Sequence, residues 1–161
     1  MTAPVLQPVG PFDTELLAEL HRRSFAAIWD RPWNANSFAD ILAMPGAAGA
    51  IMRVDDTPLG FGITLQTLDE VELLLIAILP EARGRGLAPQ LLDSLLSAAA
   101  VRGARRALLE VADKNIPAIA TYTKVGFTTC GRRKQYYPGP TDAVLFEKAL
   151  NSPRIDDKSH Q

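Results

Sequence analysis

Between Val71 and Ala100 the chain passes from an apolar strand through a basic glycine loop into a helix, and few folds accommodate that order. Leu73-Leu74-Leu75-Ile76-Ala77-Ile78-Leu79 carries the strand, and Pro80-Glu81-Ala82-Arg83-Gly84-Arg85-Gly86-Leu87-Ala88 the loop. Pro89-Gln90-Leu91-Leu92 leads into the helix, where Leu87, Leu91, Leu95 and Ala99 recur at helical spacing. A helix start offers unpaired backbone N–H groups and the positive end of the macrodipole. Glycines let a pyrophosphate approach that backbone, and the arginines add charge. The unit is expected to hold a phosphorylated ligand.

Two common phosphate motifs fail here. A Walker-type loop needs a lysine after its second glycine, and no lysine lies near Gly84 or Gly86. A dinucleotide fingerprint needs a third glycine where Pro89 stands.

The flanking pattern predicts a mixed α/β domain. Val5 to Val9 reads as a strand. Asp13 is placed to cap a helix running to about Ala27, with Leu16, Leu17, Leu20 and Phe25 buried. Trp29-Asp30-Arg31-Pro32-Trp33 breaks that helix, and Ser37 to Met44 forms a second, stopped by Pro45-Gly46. Ala48 to Val54 and Leu59 to Leu68 are strands joined by a turn at Asp55-Asp56-Thr57-Pro58. The central strand is Val71 to Leu79. The helix after the glycine loop ends at Arg102-Gly103, and Ala107 to Val111 is the next strand. A further helix spans Ile116 to Lys124 before Gly126. Thr128 to Tyr136 and Ala143 to Lys148 are the last strands, linked through Pro138-Gly139-Pro140. The strand–helix–strand unit from Val71 to Val111 implies a parallel, right-handed crossover. Residues 1–150 form one domain, and the polar tail 151–161 is expected to be disordered.

Composition narrows the function classes. The 161 residues suit one domain with one core. A formal net charge of -1 lacks the electrostatic footprint of a nucleic-acid binder, so no direct nucleic-acid partner is expected. No apolar run approaches the ~20 residues a membrane helix needs, and no leader pattern opens the chain. Cys130 is the one cysteine, which disfavours a thiolate metal site, and no metal is expected. These features fit a soluble cytoplasmic protein.

Arg83-Gly84-Arg85-Gly86-Leu87-Ala88 matches Gln/Arg-x-x-Gly-x-Gly/Ala, and so resembles the acetyl-CoA signature of the GNAT acetyltransferases. The segment Leu109-Glu110-Val111 through Asn115-Ile116-Pro117-Ala118 and Tyr122 to Gly126-Phe127 resembles the second half of a GNAT domain. More narrowly, these residues, with Gly131 to Tyr137 and Asp142-Ala143, resemble the RimI-type N-terminal alanine acetyltransferases of a small-subunit ribosomal protein. Arg31-Pro32-Trp33-Asn34 and Phe38 echo the same family. The resemblance implies a GNAT fold, with a mixed sheet of six or seven strands and about four helices. It implies acetyl-CoA as cosubstrate and a protein N-terminus as partner. A small-molecule amine acceptor, and a domain that binds acyl-CoA without turnover, remain the alternatives.

The resemblance also implies roles. Backbone groups of Ile76, Ala77 and Ile78 would meet the pantetheine arm. Arg83, Gly84, Arg85, Gly86, Leu87, Ala88 and Pro89 would surround the pyrophosphate, although Pro89 has no N–H to donate. Asn115 would bond the pantetheine, cap a helix, or both. Glu110, isolated in an apolar strand, is a candidate general base whose burial would raise its pKa, or else a salt-bridge partner of Arg105 or a neighbouring strand. Tyr122 is a candidate acid for the departing thiolate, or a core tyrosine. Tyr136 and Tyr137 would flank the acceptor, with strand alternation turning only one inward. Trp33 and Trp29 would line the acceptor side or pack. Arg132-Arg133-Lys134 reads as a solvated strand end or a contact for a phosphate. Cys130 is expected in the core, and His21 and His160 carry no assigned chemistry.

Overall fold

A computed structural model of the chain describes residues 2–24, 33–137 and 140–151, with the side chain of Tyr137 also excepted. In chain order the elements are β1 (Val5–Pro8), α1 (Thr14–Ser24), α2 (Ala35–Leu42), β2 (Ala47–Val54), β3 (Thr57–Thr67) and β4 (Glu70–Ile78). There follow α3 (Leu87–Val101), β5 (Arg106–Ala112), α4 (Ile116–Val125), β6 (Thr128–Tyr137) and β7 (Thr141–Ala149). The strands form one mixed sheet in the order β1-β2-β3-β4-β5-β7-β6, in agreement with the six or seven strands expected. Among the described residues only the β4–β5 pair is parallel, and α3 makes that crossover.

Each face of the sheet carries its own core. On one face α3 and α4 bury Leu91, Leu92, Leu96 and Tyr122 against Val71, Leu109, Val111 and Phe146. On the other, α1 and α2 bury Leu17, Leu20 and Phe38 against Ile51, Phe61, Ile63 and Ala77. Each fully buried leucine or phenylalanine contributes about 1.5–3 kcal/mol. Close contact between α3 and the sheet depends on Gly62, where a Cβ would stand 2.3 Å from Leu95 Cδ1.

Local chemistry explains most boundaries. Asp55 and Asp56 both adopt positive φ, 50° and 64°, making a two-residue hairpin turn. Thr57 and Pro58, expected in that turn, already belong to β3; Pro58 lies at a register shift, where a missing N–H is tolerated. α2 starts before Ser37, because Asn34 caps it and its Oδ1 accepts from Ser37 N–H at 2.9 Å. Asp13 does not cap α1 through its side chain; Oδ2 turns back to accept from Gly10 N–H at 2.7 Å. Asn115 caps α4 by accepting from Ala118 N–H, and Gly126 ends it at φ 108°.

Phe25, the run to Ala27, Trp29, Arg31 and Pro32 lie outside the described residues. So do Pro138, Gly139, His160 and the tail after residue 151.

Candidate acyl-transfer site

The sheet parts in the middle. β4 and β5 pair only from Glu70 to Glu72 against Arg106 to Leu108. Beyond that point β4 stays on β3 as far as Ile78, and β5 stays on β7 as far as Ala112. A bulge helps to turn β4 away: Ile63 faces Leu75 and Thr64 faces Leu73, leaving Leu74 as an extra residue. The facing edges of Leu73–Ile78 and Leu109–Ala112 therefore have no strand partner among the described residues.

The glycine loop closes one end of this opening. Gly84 and Gly86 adopt φ 79° and 72°, and a Cβ on either would meet nothing within 4 Å. Gly86 is the N-cap of α3, so the first-turn N–H groups of Leu87 and Ala88 have no helical acceptor. The Leu87 side chain packs into the core, which leaves its backbone for a ligand. Pro89, in the same first turn, adds shape but no donor.

The two loop arginines differ. The expectation that Arg83 meets the pyrophosphate finds its guanidinium already engaged: Nε donates to Ile78 O at 3.0 Å and Nη2 to Ser24 O at 2.6 Å. Arg85 is exposed, with one 3.3 Å bond to Glu81 O. The Arg83 contact also removes Ile78 O from the open edge. Leu79 N–H donates to Leu59 O on β3, so alternation turns Ala77 toward β3 as well and aims the backbone of Ile76 at the opening.

Glu110 and Tyr122 lie on opposite faces. Leu109 and Val111 point into the α3–α4 core that holds Tyr122, and Glu110 alternates to the other face. Glu110 Oε1 is 3.1 Å from Arg133 Nη2, with side chains 25% and 55% exposed. The salt-bridge partner is therefore on β6, not Arg105. A pair this exposed is worth about 0–1 kcal/mol, so the guanidinium is weakly held.

Glu72 joins them from β4. Its carboxyl is raised above the usual range, first because the cleft walls withhold hydration, then because Glu110 is near; Arg133 opposes both. Sequence reasoning passes over Glu72, although a lone charge inside the apolar run Val71–Leu79 is the available signal.

The remaining candidates fall as follows. The Tyr122 ring is buried against Phe127 and Phe146, at 6.0 and 6.4 Å between centroids. Asn115 fills its capping role. Tyr136 is 54% exposed and lies 5.5 Å below the Arg133 guanidinium. Gln135, at φ 53°, sits in a register shift between Arg133 and Tyr137, so strict alternation does not govern the two tyrosines. The Trp33 ring packs on Phe38 at 5.4 Å, and the Trp33 backbone N–H donates to His21 Nδ1. Arg132 is not a free strand end; it bonds Asp142 at 2.8 Å and Asp113 at 3.3 Å. Cys130 is exposed rather than core, because β6 is an edge strand and the residue sits in a register shift between Thr129 and Gly131. Among the described residues no cluster of three metal-ligating side chains occurs, and no helix is long and apolar enough to cross a membrane.

A helix start with unpaired first-turn N–H groups lies beside two parted strands, with a carboxylate on one face and a phenol on the other, an arrangement suited to acyl transfer. Residues 14–127 match the Acetyltransferase (GNAT) family. The chain is 40% identical over 139 residues to the [ribosomal protein bS18]-alanine N-acetyltransferase of Haemophilus influenzae, covering 85% of this chain and 90% of that one. It is 38% identical over 98 residues to the Salmonella typhimurium protein of that name, covering 59% of this chain and 66% of the relative. The crystal structure of the ribosomal-protein-S18-alanine N-acetyltransferase from Escherichia coli superposes with TM-score 0.84 at 26% identity, covering 96% and 98% of the two chains. The chain belongs to the GNAT acetyltransferase family. It is an acetyltransferase.

Proposed function

We propose that this enzyme acetylates the α-amine of an N-terminal alanine, that of ribosomal protein bS18. The observation that carries the acceptor is the 40% identity to the Haemophilus influenzae enzyme across 85% of the chain. The cytoplasm, where ribosomal proteins are made, is its place of action.

In this reading acetyl-CoA lies along the open edge of β4. Its pyrophosphate meets the N–H groups of Gly86, Leu87 and Ala88, with Gly84 giving access, Arg85 adding charge and Pro89 shaping the first turn. Arg83 holds the loop in place. Ile76 backbone groups take the pantetheine, Ala77 and Ile78 shape its wall, and Asn115 lies at its far side. Acetyl-CoA supplies the thioester that the amine attacks.

The acceptor approaches from the other face, past Tyr136, Tyr137 and Trp33. Glu110 takes a proton from the ammonium, directly or through a water. An α-amine pKa of about 8 makes that a small demand. The amine nitrogen then bonds to the acetyl carbon, gives up its second proton to solvent, and the carbon–sulfur bond breaks as the carbonyl re-forms. Tyr122 protonates the departing thiolate, a modest cost between pKa values of about 10 and 8.5, and solvent returns a proton to the phenol. Opposite faces for Glu110 and Tyr122 support this division, because the proton leaves on the acceptor side and arrives on the donor side.

The test is thiol release with a peptide carrying the bS18 N-terminus, beside the same peptide blocked at its α-amine and a panel of small amines. Acetylation confined to the free α-amine is expected. A kcat/KM ten times higher for spermidine or an aminoglycoside would overturn the acceptor.

A further inference from the structure

Two carboxylates and one guanidinium share the acceptor-side mouth of the parted strands. Glu72 pairs with Leu108 across the β4–β5 seam, and Glu110 lies two residues further along β5, so both point to one face. Arg133 reaches that face from β6, where its neighbour across the ladder is Ala143, and its Nη2 contacts Glu110 Oε1 at 3.1 Å. The Tyr136 ring lies beneath the guanidinium. Among the described residues, the titratable and charged groups meeting here from β4, β5 and β6 are Glu72, Glu110, Arg133 and Tyr136.

A base whose oxygen is shared with a guanidinium is poorly placed to receive a proton. An arriving ammonium also brings a second cation to Glu110. Arg133 has somewhere else to go, because Glu72 lies within its electrostatic reach. We propose that Arg133 is a positioning residue that moves from Glu110 to Glu72 when the acceptor amine docks. Glu72 is then its counter-ion during transfer. The planar fork suits either carboxylate, and Tyr136 provides the surface over which it pivots. Burial and then the charge of Glu110 raise the Glu72 carboxyl, and Arg133 already offsets part of this from its place on Glu110. This inference rests on Glu110 being the base of the proposed reaction.

A double-mutant cycle on the full chain tests it, with acetyl-CoA and an alanine-first peptide. Glu72→Gln removes the second partner and should raise KM for the peptide about tenfold, with KM for acetyl-CoA unchanged. Arg133→Met leaves two carboxylates facing each other, and should move the acidic limb of kcat/KM to higher pH. Arg133→Lys, a cation without the fork, should fall between. In the Arg133→Met background, Glu72→Gln should restore the limb and cause no tenfold rise in KM. Circular dichroism checks that each variant is folded, and these exposed positions favour that. Equal effects of Glu72→Gln in both backgrounds, or an unmoved limb in Arg133→Met, overturn the switch. The cycle is repeated with a small primary amine. A wild-type preference for that amine defeats the peptide reading alone, and the same comparisons on it still decide the switch. Full activity of Glu110→Gln at neutral pH defeats the base assignment and the switch together.

Discussion

Arg83 ties the glycine loop to the end of α1, donating to Ser24 O at 2.6 Å while its Nε holds Ile78 O. A residue of the acetyl-CoA signature thus acts inward, on two carbonyls from distant parts of the chain. Arg83→Ala should cost roughly 1–3 kcal/mol, because charge-assisted bonds to half-buried carbonyls are lost. Melting should fall by a few degrees, and KM for acetyl-CoA should rise as the loop loses its anchor. Unchanged melting with weaker acetyl-CoA binding would instead make Arg83 a direct ligand.

Gly86 offers a second test of the loop. Its φ of 72° is strained for any other residue, and most of all for a β-branched one. Gly86→Val should weaken acetyl-CoA binding severely at a stability cost of about 1–3 kcal/mol. Calorimetry on the folded variant reads the affinity. A wild-type value would remove the loop from the donor site.

For the base and acid, Glu110→Gln should lower turnover roughly 10²–10⁴-fold at neutral pH. The loss should shrink at high pH, where the amine is already neutral. Tyr122→Phe should lower turnover while calorimetric affinity for acetyl-CoA stays the same. Its buried packing on Phe127 and Phe146 survives that change. Undiminished turnover in either variant would cancel that residue's role.

Glu72 makes a stability prediction of opposite sign. Its carboxyl is raised in the folded protein, so the folded state binds a proton more readily than the unfolded chain. The charged form is a penalty that is fully present at neutral pH and relieved as pH falls through the folded value toward the unfolded one. Glu72→Gln should therefore melt higher than wild type at pH 7 and match it in acid. A lower melting point at pH 7 would show that the carboxylate is favourable where it stands.

Much of this was legible in the chain. The strand, the glycine loop and the leucines of α3 fix one parallel crossover, and Asn115 and Gly126 bracket α4 by ordinary capping chemistry. The pairing of Glu110 with Arg133 was not, because it depends on the order β5-β7-β6, which no local pattern encodes. Cys130 shows the same limit: a small apolar residue in a strand is core or surface depending on whether that strand ends at an edge. Arg83 shows another, since charge in a signature reads as ligand contact until the distant carbonyl of Ser24 is seen beside it.

The short β4–β5 seam also bears on how the domain holds together. Antiparallel pairing joins β1 through β4, with hairpins from β2 to β4, and a second antiparallel set joins β5, β7 and β6, so each half is bonded within itself. Between the halves the ladder pairs run from Glu70 to Glu72, beside the bonds that Arg105 and Arg106 N–H donate to Asp69 O, with α3 packed across β2, β3, β4 and α4. Cooperativity between the two half-sheets then rests on burial under α3 more than on backbone bonding. Sub-global opening is favoured along that seam, and amide exchange there should slow when the donor bridges it.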